Sequence, residues 1–143
     1  MSGGRAAETA LDASLAALRH RDLSEAELSR RLGERGFDER ERDDALATLR
    51  RTGLLDDERY AAARAASLAA RGAGDALIRH DLERAGVPRE LLDAALESLE
   101  DELFRARRIV GRRGPGPKTA RYLGAKGFAN ETIETSVTVD SDS

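Results

Sequence analysis

The chain contains no cysteine and no tryptophan, and only one methionine and three prolines. Without cysteine, disulfides and thiolate metal sites are excluded, and a reducing compartment is the natural setting. Aromatic residues make up 3% of the 143 positions, so any interior must be built from Leu, Ala, Ile and Val. No apolar run approaches the roughly 18 residues of a membrane span, and no signal-peptide pattern opens the chain. The expectation is a cytoplasmic protein with no membrane partner. Catalytic chemistry is equally scarce. The two histidines, His20 and His80, lie beside arginines with no Cys or His near them in sequence. No Ser-His-Asp or Cys-His pattern is present. We expect no enzyme, no catalytic residue, no metal and no cofactor.

What the chain has in abundance is charge and helix-forming residues. Charged residues make up 36% of it, and Ala, Leu, Arg and Glu all favour helices. The formal net charge of −3 hides a segregation. From Arg105 to Lys126 there are eight basic groups and no acid: Arg105, Arg107, Arg108, Arg112, Arg113, Lys118, Arg121 and Lys126. One sign of charge held locally attracts nucleic acid or an acidic protein surface even on an acidic molecule. These eight are candidate contact residues, and the sequence leaves open whether the partner is a polyanion or a protein groove.

The segments RLGERGFD (31–38), DLERAGVP (81–88) and YLGAKGFA (122–129) share one frame, a Leu followed four residues later by Gly and then an apolar residue. That is the pattern of a helix end, with Gly36, Gly86 and Gly127 in the left-handed position and the next residue folding back on the last turn. It pairs Phe37 with Leu32, Val87 with Leu82 and Phe128 with Leu123. Ser24 with Glu27 forms a capping box before the first of these helices. Asp75 is expected to cap the second, and Pro117 suits a first helical position of the third. A further helix follows each glycine, signalled by Asp38, Pro88 and Asn130. A preceding helix completes each unit, carrying Leu11, Leu15 and Leu18, then Tyr60, Arg64 and Leu68, then Leu103, Phe104 and Val110. The expected fold is all-α: three tandem three-helix modules at 6–53, 54–100 and 101–139, in an elongated, curved array. Residues 1–5 and 140–143 are expected to be frayed, and Asp140 breaks the apolar pattern of the last helix.

Two charged motifs have competing readings. In GLLDDERYA (53–61), Asp56, Asp57 and Glu58 could ligate a metal, but acids in a helix's first turn are what the macrodipole favours. The preferred reading is a joint, in which Leu54 and Leu55 close one module, the acids start the next helix, and Tyr60 anchors it. GRRGPGPKT (111–119) resembles a phosphate loop, but Pro117 stands where that loop needs Gly and a backbone N–H. A flexible connection between helices is expected there.

With that joint in place, the chain resembles the RecX family, the regulatory proteins that bind the bacterial recombinase RecA. The resemblance rests on Ser24, Glu27, Leu28, Leu32, Gly36 and Phe37, then Gly53, Leu54, Leu55, Asp56, Asp57, Tyr60 and Ala61, then Gly74, Ile78, Leu82 and Gly86. It runs from about residue 10 to residue 133. It departs from the family pattern at Thr119, where the first two modules have Leu28 and Ile78. The resemblance implies a monomeric, non-enzymatic modulator that lies in the groove of the RecA–DNA filament and suppresses its ATPase, extension and strand exchange. It carries over no catalytic residue. It implies that basic surface positions make contact, which adds Arg64, Arg71, Arg79 and Arg84 of the second module to the candidates. The alternative is a helix–turn–helix-like module that binds single- or double-stranded DNA directly through the 105–126 face.

Overall fold

The computed structural model describes residues 7–138. Among them are nine helices and no strand: α1 (Ala10–His20), α2 (Glu25–Glu34), α3 (Glu39–Arg51), α4 (Asp57–Ala70), α5 (Asp75–Arg84), α6 (Arg89–Glu97), α7 (Glu102–Arg113), α8 (Pro117–Ala125) and α9 (Asn130–Val137). The expectations for residues 1–5, Asp140 and 140–143 fall outside the described residues.

The helices group in threes, each group around its own apolar cluster. Leu28, Leu32, Leu49 and Leu55 lead the first, Tyr60, Ile78, Leu82 and Leu92 the second, and Ala106, Ile109, Leu123 and Phe128 make up the third. Each fully buried Leu contributes on the order of 1.5–3 kcal/mol. Helices of 8–14 residues are marginal alone in water, so this burial is what holds them. The third cluster is the smallest of the three.

Each of the three expected glycine ends is present with both bonds of the Schellman closure. Gly36, Gly86 and Gly127 have φ of +94°, +77° and +89°. Phe37, Val87 and Phe128 donate their N–H to Leu32, Leu82 and Leu123, each at 3.1 Å. Gly53 and Gly72 close α3 and α4 in the same way, with Leu54 donating to Leu49 and Ala73 to Leu68 at 3.0 Å each. The closure at Gly72 is an addition to the sequence reading. Helix starts follow the signals at Ser24–Glu27, Asp38 and Pro117.

Several sequence expectations are corrected. Asp75 does not cap α5. Gly74 is the N-cap residue, and Asp75 instead points its carboxylate at Arg105. The helix expected after Gly127 does begin at Asn130, with Ala129 as its N-cap residue. Leu15 and Phe104 do not face the cores; they are 38% and 56% exposed. α1 and α7 approach their neighbours through Ala10, Ala13 and Ser14 and through Ala106 and Ile109, because small residues let helix axes come close. Gly111–Arg113 is the last turn of α7, not a loop, so the connection shrinks to Gly114–Gly116. Thr119 is buried in the Leu28 and Ile78 position, and its hydroxyl is satisfied by donating to the Gly114 carbonyl at 2.6 Å.

The modules join by one device used twice. The N-terminus of α2 abuts the C-terminal turn of α5, where the Ser24 hydroxyl donates to the Ala85 carbonyl. The N-terminus of α5 abuts the C-terminal turn of α8, where Gly74 donates its N–H to the Lys126 carbonyl at 2.7 Å and Ala76 donates to Gly127 at 3.1 Å. Positive helix ends thus meet negative ones. An acid at the first position of the next module's first helix completes the joint. Asp57 accepts from the Glu25 N–H at 2.9 Å. Glu102 accepts from the Asp75 N–H at 2.7 Å and from the Ala129 N–H at 3.1 Å.

Asp57 therefore serves the N-termini of two helices, α4 and α2. Burial pushes its carboxyl up from the ordinary Asp value, and the bond to Glu25 needs an acceptor oxygen at this position. Asp57→Asn, which keeps that oxygen, is expected to change stability by less than about 0.5 kcal/mol, and Asp57→Ala to cost about 1–2 kcal/mol. Urea unfolding of the two variants checks this ordering.

Candidate functional site

The twelve basic candidates divide by what their side chains already touch. Arg105 is not on a contact surface. It is 7% exposed, donates to the carbonyls of Glu100 and Ala73 at 2.9 Å each, and pairs with Asp75. The sequence run without acids hid this, because its partner comes from another module. Arg108 pairs with Glu100 at 2.5 Å and lies 5.0 Å from the centre of the Phe104 ring. Arg113 stacks 3.8 Å from the Tyr122 ring, a cation–π contact tying α7 to α8. Lys126 is half-buried. Arg107, Arg112, Lys118 and Arg121 are exposed, and among the described residues they make no ion pair.

In the second module, Arg79 pairs with Asp93 at 3.2 Å, and Arg71 reaches the Ser67 hydroxyl at 3.2 Å. Arg64 grips Asp81 with two bonds of 2.9 Å. The hydrogen bonds from Arg64 hold the Asp81 carboxyl below the ordinary Asp value. With both partners about a third exposed, such a pair is worth on the order of 1 kcal/mol. Its contribution is full above the ordinary carboxylate pKa and fades as pH falls through the lowered one.

That pair lies in the best-formed concavity, a cleft of about 500 Å³ where the first two modules meet. Arg21, Asp22, Glu27 and Arg30 come from the first module, and Tyr60, Arg64, Ser67, Asp81 and Arg84 from the second. Arg21 lies 3.6 Å from Glu27. Burial, with Glu27 close by, pushes the Tyr60 hydroxyl up to about 12, so it is a neutral phenol at physiological pH. The cleft unites Arg64 and Arg84 of the expected set with Arg21 and Arg30, which sequence reasoning missed because their own module is balanced in charge. The signature residues do structural work. Asp56 caps α4 by accepting from the Arg59 N–H at 3.1 Å, Leu55 is 2% exposed in the first core, and Leu54 is 54% exposed. Of the two leucines expected to close the first module, Leu55 does so from within the core, and the closure at Gly53 turns Leu54 outward.

The comparisons with known proteins agree with this architecture. Residues 56–96 match the family model described as RecX, second three-helix domain, a span that opens at the Asp56 cap. The regulatory protein RecX of Halorhodospira halophila is 33% identical over 140 residues, covering 91% of this chain and 87% of that protein. The chain belongs to the RecX family. The regulatory protein RecX of Trichlorobacter lovleyi is 36% identical over 140 residues, with 85% and 91% covered. The crystal structure of RecX from Lactobacillus salivarius superposes with a TM-score of 0.76 over 90% of this chain, at 18% identity, a likeness of fold. The RecX resemblance carried by GLLDDERYA and the three glycine ends is therefore confirmed, and the relatives are named as regulatory proteins. No helix among the described residues is long and apolar enough to cross a membrane.

Proposed function

We propose that this chain is a monomeric, non-enzymatic regulator in the cytoplasm that binds the filament formed by the RecA recombinase on DNA. There it lowers ATP hydrolysis, filament extension and strand exchange. The observation that carries this reading is membership of the RecX family over 91% of the chain, among relatives named as regulatory proteins. The charged inter-module cleft and the exposed Arg107, Arg112, Lys118 and Arg121 supply surfaces for a partner. The test is binding to recombinase filaments on single-stranded DNA, compared with binding to the same DNA bare. The expected result is tight binding to the filament, with bare-DNA binding weaker at physiological salt.

A second reading is favoured by those same four exposed residues on α7 and α8. They suit direct phosphate contact, which predicts filament-independent binding that falls steeply with salt. Absence of bare-DNA binding at low salt rules it out.

A further inference from the structure

The two module junctions use the same joint but differ in what surrounds it. Counting back from each glycine end and forward from each joint acid puts the two junctions in register. Nine residues before Gly36 stands Glu27, and nine before Gly86 stands Leu77. Five before Gly86 stands Asp81, and five before Gly127 stands Tyr122. Seven after Asp57 stands Arg64, and seven after Glu102 stands Ile109. Arg30 and Arg84 correspond in the same way to His80 and Ala125. At these positions the second junction carries Leu77, His80, Ile109, Tyr122 and Ala125, none of them acidic, Lys or Arg, with Ile109 buried and Tyr122 half-buried. Ile109 and Tyr122 approach Gly72 there, with the Tyr122 hydroxyl 3.6 Å from where a Gly72 Cβ would stand. Stacking the modules does not require charge at these positions.

The first junction nonetheless carries charge at every one of them, around an open cleft of about 500 Å³. Arg64 is held in place by its two bonds to Asp81, and Glu27 by the Ser24 N–H at 3.0 Å. Arg30 and Arg84 are exposed at the rim, and among the described residues they make no ion pair. Two unpaired guanidiniums at the mouth of a cleft with a fixed ion pair inside form a receptor for an anionic group.

We propose that this cleft receives an acidic side chain of a protein partner, with its carboxylate bound by Arg30 and Arg84. A carboxylate is favoured over a nucleic acid by the rest of the lining. Asp22, Glu27 and Asp81 share the cleft, leaving it a net charge of only about one positive unit. A duplex presents a phosphate charge about every 1.7 Å along its axis, and several of these would lie against the three acids. A polypeptide can place one carboxylate at the arginines and an uncharged or basic group at Asp22. This rests on the proposed filament reading and names the surface and chemistry of that contact.

The test uses the full chain with Arg30→Glu and Arg84→Glu combined, and separately the milder Arg30→Gln with Arg84→Gln. Each is compared with wild type for binding to recombinase filaments, binding to bare single-stranded DNA, and thermal unfolding. Both positions are exposed, so the midpoint of unfolding should stay within a few degrees of wild type. The expected result is at least a tenfold loss of filament affinity for the Glu pair, a smaller loss for the Gln pair, and unchanged bare-DNA binding. Unchanged filament affinity in both variants overturns the cleft assignment and leaves the filament reading standing. Loss of bare-DNA binding in step with filament binding overturns it in favour of a nucleic acid in the cleft. Failure of the wild-type chain to bind filaments removes the filament reading itself, and this assignment with it.

Discussion

Arg105→Ala is expected to destabilise the protein by about 3 kcal/mol, the scale of breaking a buried ion pair by removing one partner. The side chain is 7% exposed and satisfies three acceptors at once: the Glu100 and Ala73 carbonyls and the Asp75 carboxylate. Alanine leaves the carbonyl of buried Ala73 without that donor and opens a void beside Phe128, whose ring centre is 6.0 Å from the guanidinium. The cost is held below the upper end of the range because Asp75 is 44% exposed and water can reach it. For a chain of this size the loss corresponds to a fall in Tm of about 10 °C. Arg107→Ala, two residues away and exposed, should change stability by less than about 0.5 kcal/mol. Thermal melts of the pair separate a structural arginine from a contact candidate, where the sequence reading gave the whole basic run one role. Equal, small effects would mean that Arg105 is not structural.

Gly127→Ala is expected to be nearly as damaging, and Gly36→Ala much less so, although both glycines end a helix in the same frame. Both have positive φ, +89° and +94°, where an L side chain costs about 1–2 kcal/mol. They differ in their surroundings. A Cβ on Gly127 would stand 2.6 Å from the Leu77 backbone nitrogen, and one on Gly36 meets nothing within 4 Å among the described residues. The Gly127 clash falls on the backbone of α5, which cannot yield without shifting the junction, and overpacking of this kind adds about 1–3 kcal/mol. Gly86→Ala belongs with Gly127→Ala, because its Cβ would clash with the Ala26 Cβ. Urea unfolding of the three variants should give a loss near 1 kcal/mol for Gly36→Ala and about 3 kcal/mol for the other two. Equal losses at all three would show that the modules do not press together at these turns.

Those glycines show where the sequence was informative. A Schellman end is written within six residues, so Leu32-to-Phe37 and its two counterparts could be read directly, as could the Ser24–Glu27 box. The end at Gly72 was missed because Ala73 gives too weak an apolar mark. The α1 and α7 faces were misphased at Leu15 and Phe104 because leucine and phenylalanine were expected to lead inward, whereas close helix packing there selects Ala10, Ala13 and Ala106. The joints were beyond local reading. Asp57 and Glu25 are 32 residues apart, and Glu102 and Asp75 are 27 apart. Nothing in the first-turn acids of GLLDDERYA tells Asp56, which caps its own helix, from Asp57, which bonds the N-terminus of α2. The same holds for the candidate site. The run from Arg105 to Lys126 looked unbalanced because its acids, Asp75 and Glu100, lie outside it, and the cleft adds Arg21 and Arg30 from a first module that looks balanced.

The most direct test of the account is the rate of ATP hydrolysis by the cognate recombinase on single-stranded DNA, titrated with this chain. A fall in rate at substoichiometric amounts of the protein is predicted, because one regulator lodged on a filament affects many subunits. An unchanged rate at equimolar protein would contradict it.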